Sequence, residues 1–152
     1  MTRPQFSFAL RVYYEDTDAA GVVYYANYLR FMERARTEWL ESLGFPLAAF
    51  EQEHRISFVV HRAEVDFLRP ARLNDRLEIT VDARDRGASR LVVAQQVLRD
   101  GSALVNAQIT LACVDAARWR AARIPAPLAR LLPSASPPER LPASPREKTT
   151  HA

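Results

Sequence analysis

The chain has 152 residues, of which 48% are apolar and 26% charged, and its formal net charge is +3. These values are typical of one soluble globular domain, and they exclude collagen, wholesale disorder and a disulfide-bonded scaffold. The single cysteine, Cys113, cannot form an intrachain disulfide and favours a reducing compartment.

The basic surplus lies at the C-terminal end. Residues 101–152 carry seven basic and three acidic side chains, whereas the rest of the chain is close to neutral. A DNA-binding protein would need a concentrated basic face, so no nucleic-acid partner is expected. The sequence shows neither the apolar run of a signal peptide nor an apolar stretch of about 20 residues, so we expect a cytoplasmic protein without membrane insertion.

Periodicity predicts the elements in chain order. Alternating apolar residues predict a strand over residues 6–13. Apolar spacings of three and four then predict a helix of about five turns with a broad buried face over residues 25–43. Gly44 followed by Pro46 is a helix stop signal. A short helix at 47–53 and strands at 56–68, 76–84, 90–99 and 102–114 follow, and Asp100-Gly101 joins the last two.

One strand, one long helix and four strands predict an α+β domain of two layers over residues 1–132. Cys113 shares the apolar face of the last predicted strand, so it is expected to be a small core residue. A short amphipathic turn is expected within residues 125–132. Residues 133–152 have the Pro-rich, charged composition of a disordered tail.

The segment between the first strand and the helix carries three carboxylates, Glu15, Asp16 and Asp18. One interpretation is that they cap the helix and complement its dipole. However, the helical pattern begins near residues 22–25, whereas a capping residue would be adjacent to it. A carboxylate here could instead attack a bound carbonyl or activate water while free helix N–H groups stabilise the oxyanion. Gly21 would let a substrate approach the backbone.

Residues 11–29, with the sequence RVYYEDTDAAGVVYYANYL, resemble the signature of the 4-hydroxybenzoyl-CoA thioesterase family, whose members are hotdog-fold acyl-CoA thioesterases. Residues 31–40, FMERARTEWL, resemble the bacterial subgroup encoded with the Tol–Pal envelope system. The segments FLRPARLND and LACVD extend the resemblance, which covers about residues 6–131. It implies an antiparallel β-sheet wrapped around one long central helix. It also implies a homodimer joined edge to edge, a site at the subunit interface, and often a homotetramer.

The resemblance further implies roles for individual residues. Asp18 corresponds to the catalytic carboxylate, and Tyr25 to the residue whose backbone N–H polarises the thioester carbonyl. Many members of the Tol–Pal subgroup have His at the position of Tyr25, so the acyl preference stays open. Neighbouring residues are expected to bind the substrate, namely Gly21, Val22, Val23, Tyr24 and Asn27.

Three arginines are candidates for binding the phosphates of CoA, because a guanidinium binds phosphate oxygens in a bidentate manner. They are Arg69, Arg86 and Arg90, and the alternative for each is a solvated arginine at a strand end. No metal-binding motif, phosphate loop or nucleophile elbow is present in the sequence.

The predicted function is hydrolysis of an acyl-CoA to a free acid and CoA, with Asp18 as nucleophile or general base. CoA enters as part of the substrate, and neither a metal nor another cofactor is expected. The main alternative is a non-catalytic hotdog protein that binds acyl-CoA or an acyl carrier protein, although such a protein needs no carboxylate. A hotdog dehydratase or hydratase would need a His in the segment that contains Asp18, and none is present.

Overall fold

A computed structural model describes residues 6–133 of the chain. The predicted tail therefore lies outside the described residues, apart from Pro133, and its disorder stays a prediction. Five strands are described: β1 (Phe6–Arg11), β2 (Ile56–Phe67), β3 (Arg76–Arg86), β4 (Arg90–Arg99) and β5 (Ser102–Asp115). The three α-helices are α1 (Asn27–Ser42), α2 (Leu47–His54) and α3 (Ala126–Ala129).

The strands form one antiparallel sheet in the order β1-β3-β4-β5-β2, so β1 and β2 are its edges. Helix α1 packs on one face of this sheet, mainly against β3 and β1. The predicted order of strand, long helix and four strands is confirmed, as is the α+β architecture of two layers. The β5–β2 side of this face is less covered by α1, and this asymmetry leaves a groove beside the helix.

Helix α1 forms because its apolar residues fall on one side. Tyr28, Phe31, Met32, Ala35 and Trp39 are all buried against the sheet. Burying a side chain of the size of Phe or Met stabilises the fold by about 1.5–3 kcal/mol. Beyond the helix, Gly44 has a φ of 93°, as the predicted stop signal requires.

The predicted start of α1 is wrong by two residues, and the apolar pattern begins even earlier. Val22 and Val23 are extended and form isolated bridges to Arg72 and Thr17 respectively. β-branched side chains favour extended backbone, and the bridges satisfy polar groups that a helix would otherwise use. The structure also contains one turn of 3-10 helix at Tyr14–Asp16, which periodicity did not predict.

Cys113 is 1% exposed, which confirms the prediction that it belongs to the core. Burial, together with the charge of Glu51, raises the pKa of its thiol to about 11. A thiol with such a pKa is almost entirely protonated at neutral pH and is a poor nucleophile. No helix within residues 6–133 is both long and apolar enough to cross a membrane.

Candidate active site

A tight hairpin presents Asp18. Thr17 pairs with Val23, the Asp18 N–H donates to Val22 O at 2.9 Å, and the Gly21 N–H donates to Asp18 O at 2.9 Å. Gly21 has a φ of 77°, a conformation that residues with a Cβ rarely adopt. The turn from Asp18 to Gly21 therefore requires a glycine because of its backbone conformation. The substrate contact expected for Gly21 stays a prediction.

The carboxylate of Asp18 is both oriented and accessible. Its Oδ1 accepts the Ala20 N–H at 2.8 Å, and the side chain is exposed. Its Oδ2 has no protein donor within the part of the chain that the structure describes. One oxygen is thus held by the backbone while the other faces solvent, where it could meet a substrate or a water molecule.

Asp16 holds together the segment between β1 and α1 through its side chain and its backbone oxygen. Its Oδ2 accepts the Tyr13 N–H at 2.9 Å, and its backbone oxygen accepts the Tyr24 N–H at 3.0 Å. The same backbone oxygen accepts Asn27 Nδ2 at 2.9 Å. Asn27 was expected to bind substrate, yet in the structure its amide ties the start of α1 to the hairpin.

Only some of the backbone N–H groups near residues 22–25, where the sequence pattern places the helix start, are available as oxyanion donors. The Val23 N–H donates to Ala71 O at 2.8 Å and the Tyr24 N–H to Asp16 O, so neither can serve an oxyanion. The first residues of α1 bond back to the residue three positions earlier. Among the described residues, the N–H groups of Tyr25 and Ala26 have no protein acceptor. The structure therefore leaves the predicted donor Tyr25 free and adds Ala26 beside it.

A second loop, residues 68–75, braces this hairpin, a role that no local sequence pattern indicates. Ala71 accepts the Val23 N–H at 2.8 Å through its carbonyl oxygen and donates its own N–H to the buried hydroxyl of Tyr28 at 2.9 Å. Burial raises the pKa of the Tyr28 phenol, so it remains a neutral hydroxyl. Ala71 therefore connects the hairpin to the start of α1 through these two hydrogen bonds.

Asp75 anchors the other end of the bracing loop. Its Oδ2 accepts Arg99 Nη1 at 2.6 Å and the Arg72 N–H at 2.8 Å. Burial acts to raise the pKa of the Asp75 carboxyl, but these hydrogen bonds and the charge of Arg99 outweigh it and hold the pKa below its usual value. The ionised form is therefore favoured in the folded protein.

An aromatic hollow lies beside the free N–H groups. The rings of Tyr25 and Phe67 meet edge to face at 6.0 Å, and Tyr24 lies 5.0 Å from Tyr25 between centroids. The hollow has a volume of about 240 Å³, and Arg69 also lines it. Tyr25 is 60% exposed, so its ring is open to a ligand. The structure thus brings together Tyr25 and Arg69 of the predicted site.

Arg86 and Arg90 lie at the opposite end of the sheet. Ten residue steps along β3 separate Arg86 from Arg76, which pairs with the end of β1 next to the hairpin, and this corresponds to about 33 Å. The Arg86 Nε is buried without a hydrogen-bond partner, and Arg90 Nη2 lies 3.8 Å from Asp85 Oδ2. Within one chain, the structure does not bring these arginines to Asp18.

A model of the thioesterase-like superfamily matches residues 12–132 of the chain. The chain belongs to this superfamily. It is 39% identical over 120 residues to "Acyl-CoA thioesterase YbgC" of Haemophilus influenzae, a match that covers 79% of this chain and 88% of the relative. It is 35% identical over 133 residues to "1,4-dihydroxy-2-naphthoyl-CoA hydrolase" of Thermosynechococcus vestitus, covering 87% and 91% of the two chains.

The fold is also similar to solved members of the thioesterase-like superfamily. The structure of a probable thioesterase from Bartonella henselae matches with a TM-score of 0.73 and 36% identity, covering 78% of this chain and 98% of the other. These comparisons confirm the predicted family and its hotdog fold. The association with the Tol–Pal system stays a prediction, as do the roles of the individual site residues. Within residues 6–133, no group of three His, Cys, Asp or Glu residues could hold a metal ion.

Proposed function

We propose that this chain hydrolyses an acyl-CoA thioester to a free carboxylic acid and CoA, with Asp18 as the reacting carboxylate and the Tyr25 N–H as an oxyanion donor. The hydrolase assignment is supported by its curated relatives, which are named thioesterases or hydrolases of CoA esters. The assignment of residues is carried by one observation. A single hairpin holds an accessible carboxylate and leads directly into a helix start with free N–H groups.

Two routes are chemically consistent with this geometry. As nucleophile, the free Asp18 oxygen attacks the thioester carbonyl, the CoA thiolate leaves, and water then hydrolyses the resulting mixed anhydride. As general base, Asp18 takes a proton from a water molecule that attacks the same carbon, and the thiolate again leaves. In both routes the negative charge on the carbonyl oxygen develops beside the N–H groups of Tyr25 and Ala26.

Binding of the CoA portion is proposed to involve Arg69, because it lines the hollow beside Tyr25 and its guanidinium suits phosphate oxygens. Arg86, at the end of β3, and Arg90, at the start of β4, lie too far from the hollow to join Arg69 within one chain, so we propose that they contact the substrate of a second copy. The long, unpaired edge of β2 offers such a copy an antiparallel partner strand, which supports an edge-to-edge homodimer.

The remaining proposals concern partners and location. The acyl group could arrive on an acyl carrier protein rather than on CoA, because the two carriers present the same thioester. CoA enters as part of the thioester substrate and leaves as a product, and the mechanism above needs no further cofactor. The assembly of dimers into a tetramer and a cytoplasmic location are predictions of the sequence, as are the substrate contacts of Val22, Val23, Tyr24 and Asn27.

The deciding experiment is CoA release by the purified chain over a panel of aliphatic and aromatic acyl-CoA esters. Turnover of at least one ester supports hydrolysis. Tight binding of an ester without turnover would replace the proposal with the non-catalytic alternative. A single turnover in ¹⁸O-labelled water, followed by mass spectrometry of the chain and of the product acid, tests the nucleophilic route. Label in Asp18 indicates that route, with water attacking the Asp18 carbon of the anhydride. Label in the product acid alone is expected from the general-base route and also from attack of water on the acyl carbon of the anhydride.

A further inference from the structure

A charged side chain interrupts the apolar side of α1. Arg36 lies one turn after Met32 and one turn before Leu40, both of which are buried. Its Nη1 donates to Gln95 Oε1 at 2.9 Å. Burial lowers the pKa of the guanidinium, and the charge of Glu33 opposes this effect. A guanidinium here is therefore partly withdrawn from water.

Gln95 fixes the position of Arg36. Its Nε2 donates to Met32 O at 3.1 Å and to Thr80 O at 3.3 Å, so its oxygen must face Arg36. Gln95 is 1% exposed and lies on the core face of β4. The ladder between β3 and β4 has no direct backbone pair at this point, and the Gln95 amide fills the gap. The orientation of Arg36 is consequently built into the sheet.

Most hydrogen-bonding capacity of Arg36 is unused. A guanidinium has five N–H donors, and within residues 6–133 Gln95 is the one protein acceptor of Arg36. No described carboxylate lies within 4.0 Å of it. Glu33 lines the same groove, but it is exposed and does not form an ion pair with Arg36. Arg36 lines a groove beside α1.

The groove is otherwise largely apolar. It has a volume of about 280 Å³, and its apolar lining is Leu40, Leu47, Phe58, Val59, Val60 and Leu111. The residues of β2 on the sheet face that carries α1 extend this apolar surface along the strand. They are Phe58, Val60, Ala63, Val65 and Phe67, each paired with a residue of β5. Val60 is 52% exposed and Phe67 is 49% exposed, so about half of each side chain stays open beside α1.

The groove and the aromatic hollow lie between the same two elements. Phe67 at the end of β2 faces Tyr28 at the start of α1, with 5.8 Å between ring centroids. Val60 and Arg36 line the groove further along both elements. Arg36 follows Ala26 by ten residues, or about 15 Å along the helix axis. Its partner Gln95 also bonds to Met32 O, one turn nearer the helix start, so the guanidinium is held closer to the oxyanion donors than the Cα of Arg36.

We propose that Arg36 is a specificity-determining residue that binds a carboxylate at the distal end of the acyl group. The substrate class is then the CoA monothioesters of dicarboxylic acids. The thioester lies at Asp18, the methylene chain follows the apolar face of β2, and the distal carboxylate meets the unused donors of Arg36. Guanidinium and carboxylate form paired, charge-assisted hydrogen bonds. This inference rests on the proposed thioester hydrolysis, and it concerns the other end of the same substrate.

The test compares esters of equal chain length. Adipoyl-, suberoyl- and sebacoyl-CoA are assayed against hexanoyl-, octanoyl- and decanoyl-CoA, and the ratio of kcat/KM is taken for each pair. We expect the ratio to favour the carboxylate at the chain length that reaches Arg36. Arg36→Met should lower that ratio about 10- to 100-fold, because it removes hydrogen bonds to a charged group. Arg36→Lys should retain part of the preference for the carboxylate. Arg34→Met, an exposed control on the same helix, should retain the whole preference.

Several outcomes would overturn the proposal. One is an equal ratio in the wild type and Arg36→Met. Another is a change in the oligomeric mass of Arg36→Met with an unchanged ratio, which would identify the groove as a contact between copies. If Arg36→Met does not fold, Val60→Asp places a carboxylate on the half-exposed opposite wall. That variant should abolish the preference by pairing with Arg36, and an unaltered ratio in it would be decisive against the proposal.

The two proposals fail in different ways. If the wild type hydrolyses no ester of either series, hydrolysis itself is wrong. The preference is then read from calorimetric affinities for the same six esters, with the same expected effect of Arg36→Met. If both series are hydrolysed without preference, hydrolysis stands and the role of Arg36 falls.

Discussion

The two ends of the sheet differ in how their charged residues are held. At the end that carries Asp18, the loop 68–75 is fixed by a 2.6 Å ion pair between Arg99 and Asp75, whose side chains are 32% and 24% exposed. At the opposite end, Arg90 and Asp85 are 3.8 Å apart and more exposed. Exposed pairs of this length contribute little, often less than about 1 kcal/mol. The contrast indicates that the first end is built to hold one geometry, whereas Arg90 at the second end is only weakly held by Asp85.

The largest expected effect separates the three carboxylates of the segment between β1 and α1, namely Glu15, Asp16 and Asp18. Asp18→Asn should lower kcat at least about 10³-fold without changing the melting temperature, because it removes the reacting group but keeps the turn. Glu15→Gln, the exposed control, should leave both values unchanged. Asp16→Ala should lower the melting temperature, since it removes the acceptor of the Tyr13 N–H. CoA release and thermal unfolding measure these outcomes, and a fully active Asp18→Asn variant would remove Asp18 from the mechanism.

The next effect concerns the brace itself. Asp75→Asn should reduce the free energy of unfolding at pH 7 by about 1–2 kcal/mol, because the amide loses the charge-assisted bonds to Arg99 and the Arg72 N–H. Glu64→Gln is the matched control. Its partner Arg62 is 2.7 Å away, but both side chains are more than half exposed, so we expect a change below about 0.5 kcal/mol.

The same variant predicts a pH dependence. The pKa of Asp75 is lower in the folded protein than in the unfolded chain, where it is about 3.9. Its stabilising contribution is therefore complete above that value and is lost as the pH falls through the folded pKa. Urea unfolding at pH 7 and at pH 3 should show that the difference between wild type and Asp75→Asn shrinks at the lower pH. An equal difference at both values would mean that the charge of Asp75 does not stabilise the loop.

Much of the fold was predictable because its signals are local. Alternation and helical spacing gave the order of the elements, and Gly44 correctly marked the end of α1. The start of α1 was less predictable, because Val22 and Val23 continue the apolar pattern although distant partners hold them extended. Asp18 and Tyr25 stood out in the sequence because they belong to one short, unusual segment.

The contacts of the loop 68–75 and of Arg36 could not be predicted from the sequence in the same way, because their partners are far apart in the chain. Arg36 and Gln95 are 59 residues apart, and Tyr28 and Ala71 are 43 apart. A signal existed for the first pair, since each residue is a polar interruption of an otherwise buried apolar face. Because buried polar groups need hydrogen-bond partners, each of these two residues predicts a polar contact inside the fold. The sequence does not show that the two residues are partners of each other.

A smaller effect, on KM for acyl-CoA, distinguishes Arg69 from Arg86 and Arg90 at the opposite end of the sheet. Arg69→Met should raise KM for an acyl-CoA a few-fold and leave KM for a truncated thioester, such as an N-acetylcysteamine ester, unchanged. Arg86→Met and Arg90→Met should have the same selective effect only while the chain is oligomeric, because within one chain they lie far from Asp18. Dilution to the monomer, followed by light scattering, tests this condition. An effect that persists in the monomer would contradict the proposed second copy.

The smallest effect is expected for the hydroxyl of Tyr25. The proposed mechanism uses its backbone N–H, which Tyr25→Phe leaves in place, and the ring contact with Phe67 is also kept. We therefore expect kcat within about threefold of the wild type, whereas loss of a general acid typically costs 10²–10⁴-fold. Tyr25→Ala removes the ring but keeps the N–H, so it should raise KM more than it lowers kcat. If Tyr25→Phe instead lowered kcat a hundredfold, the hydroxyl would be a proton donor to the leaving thiolate. The end of the sheet that carries Asp18 would then hold two reacting side chains rather than one.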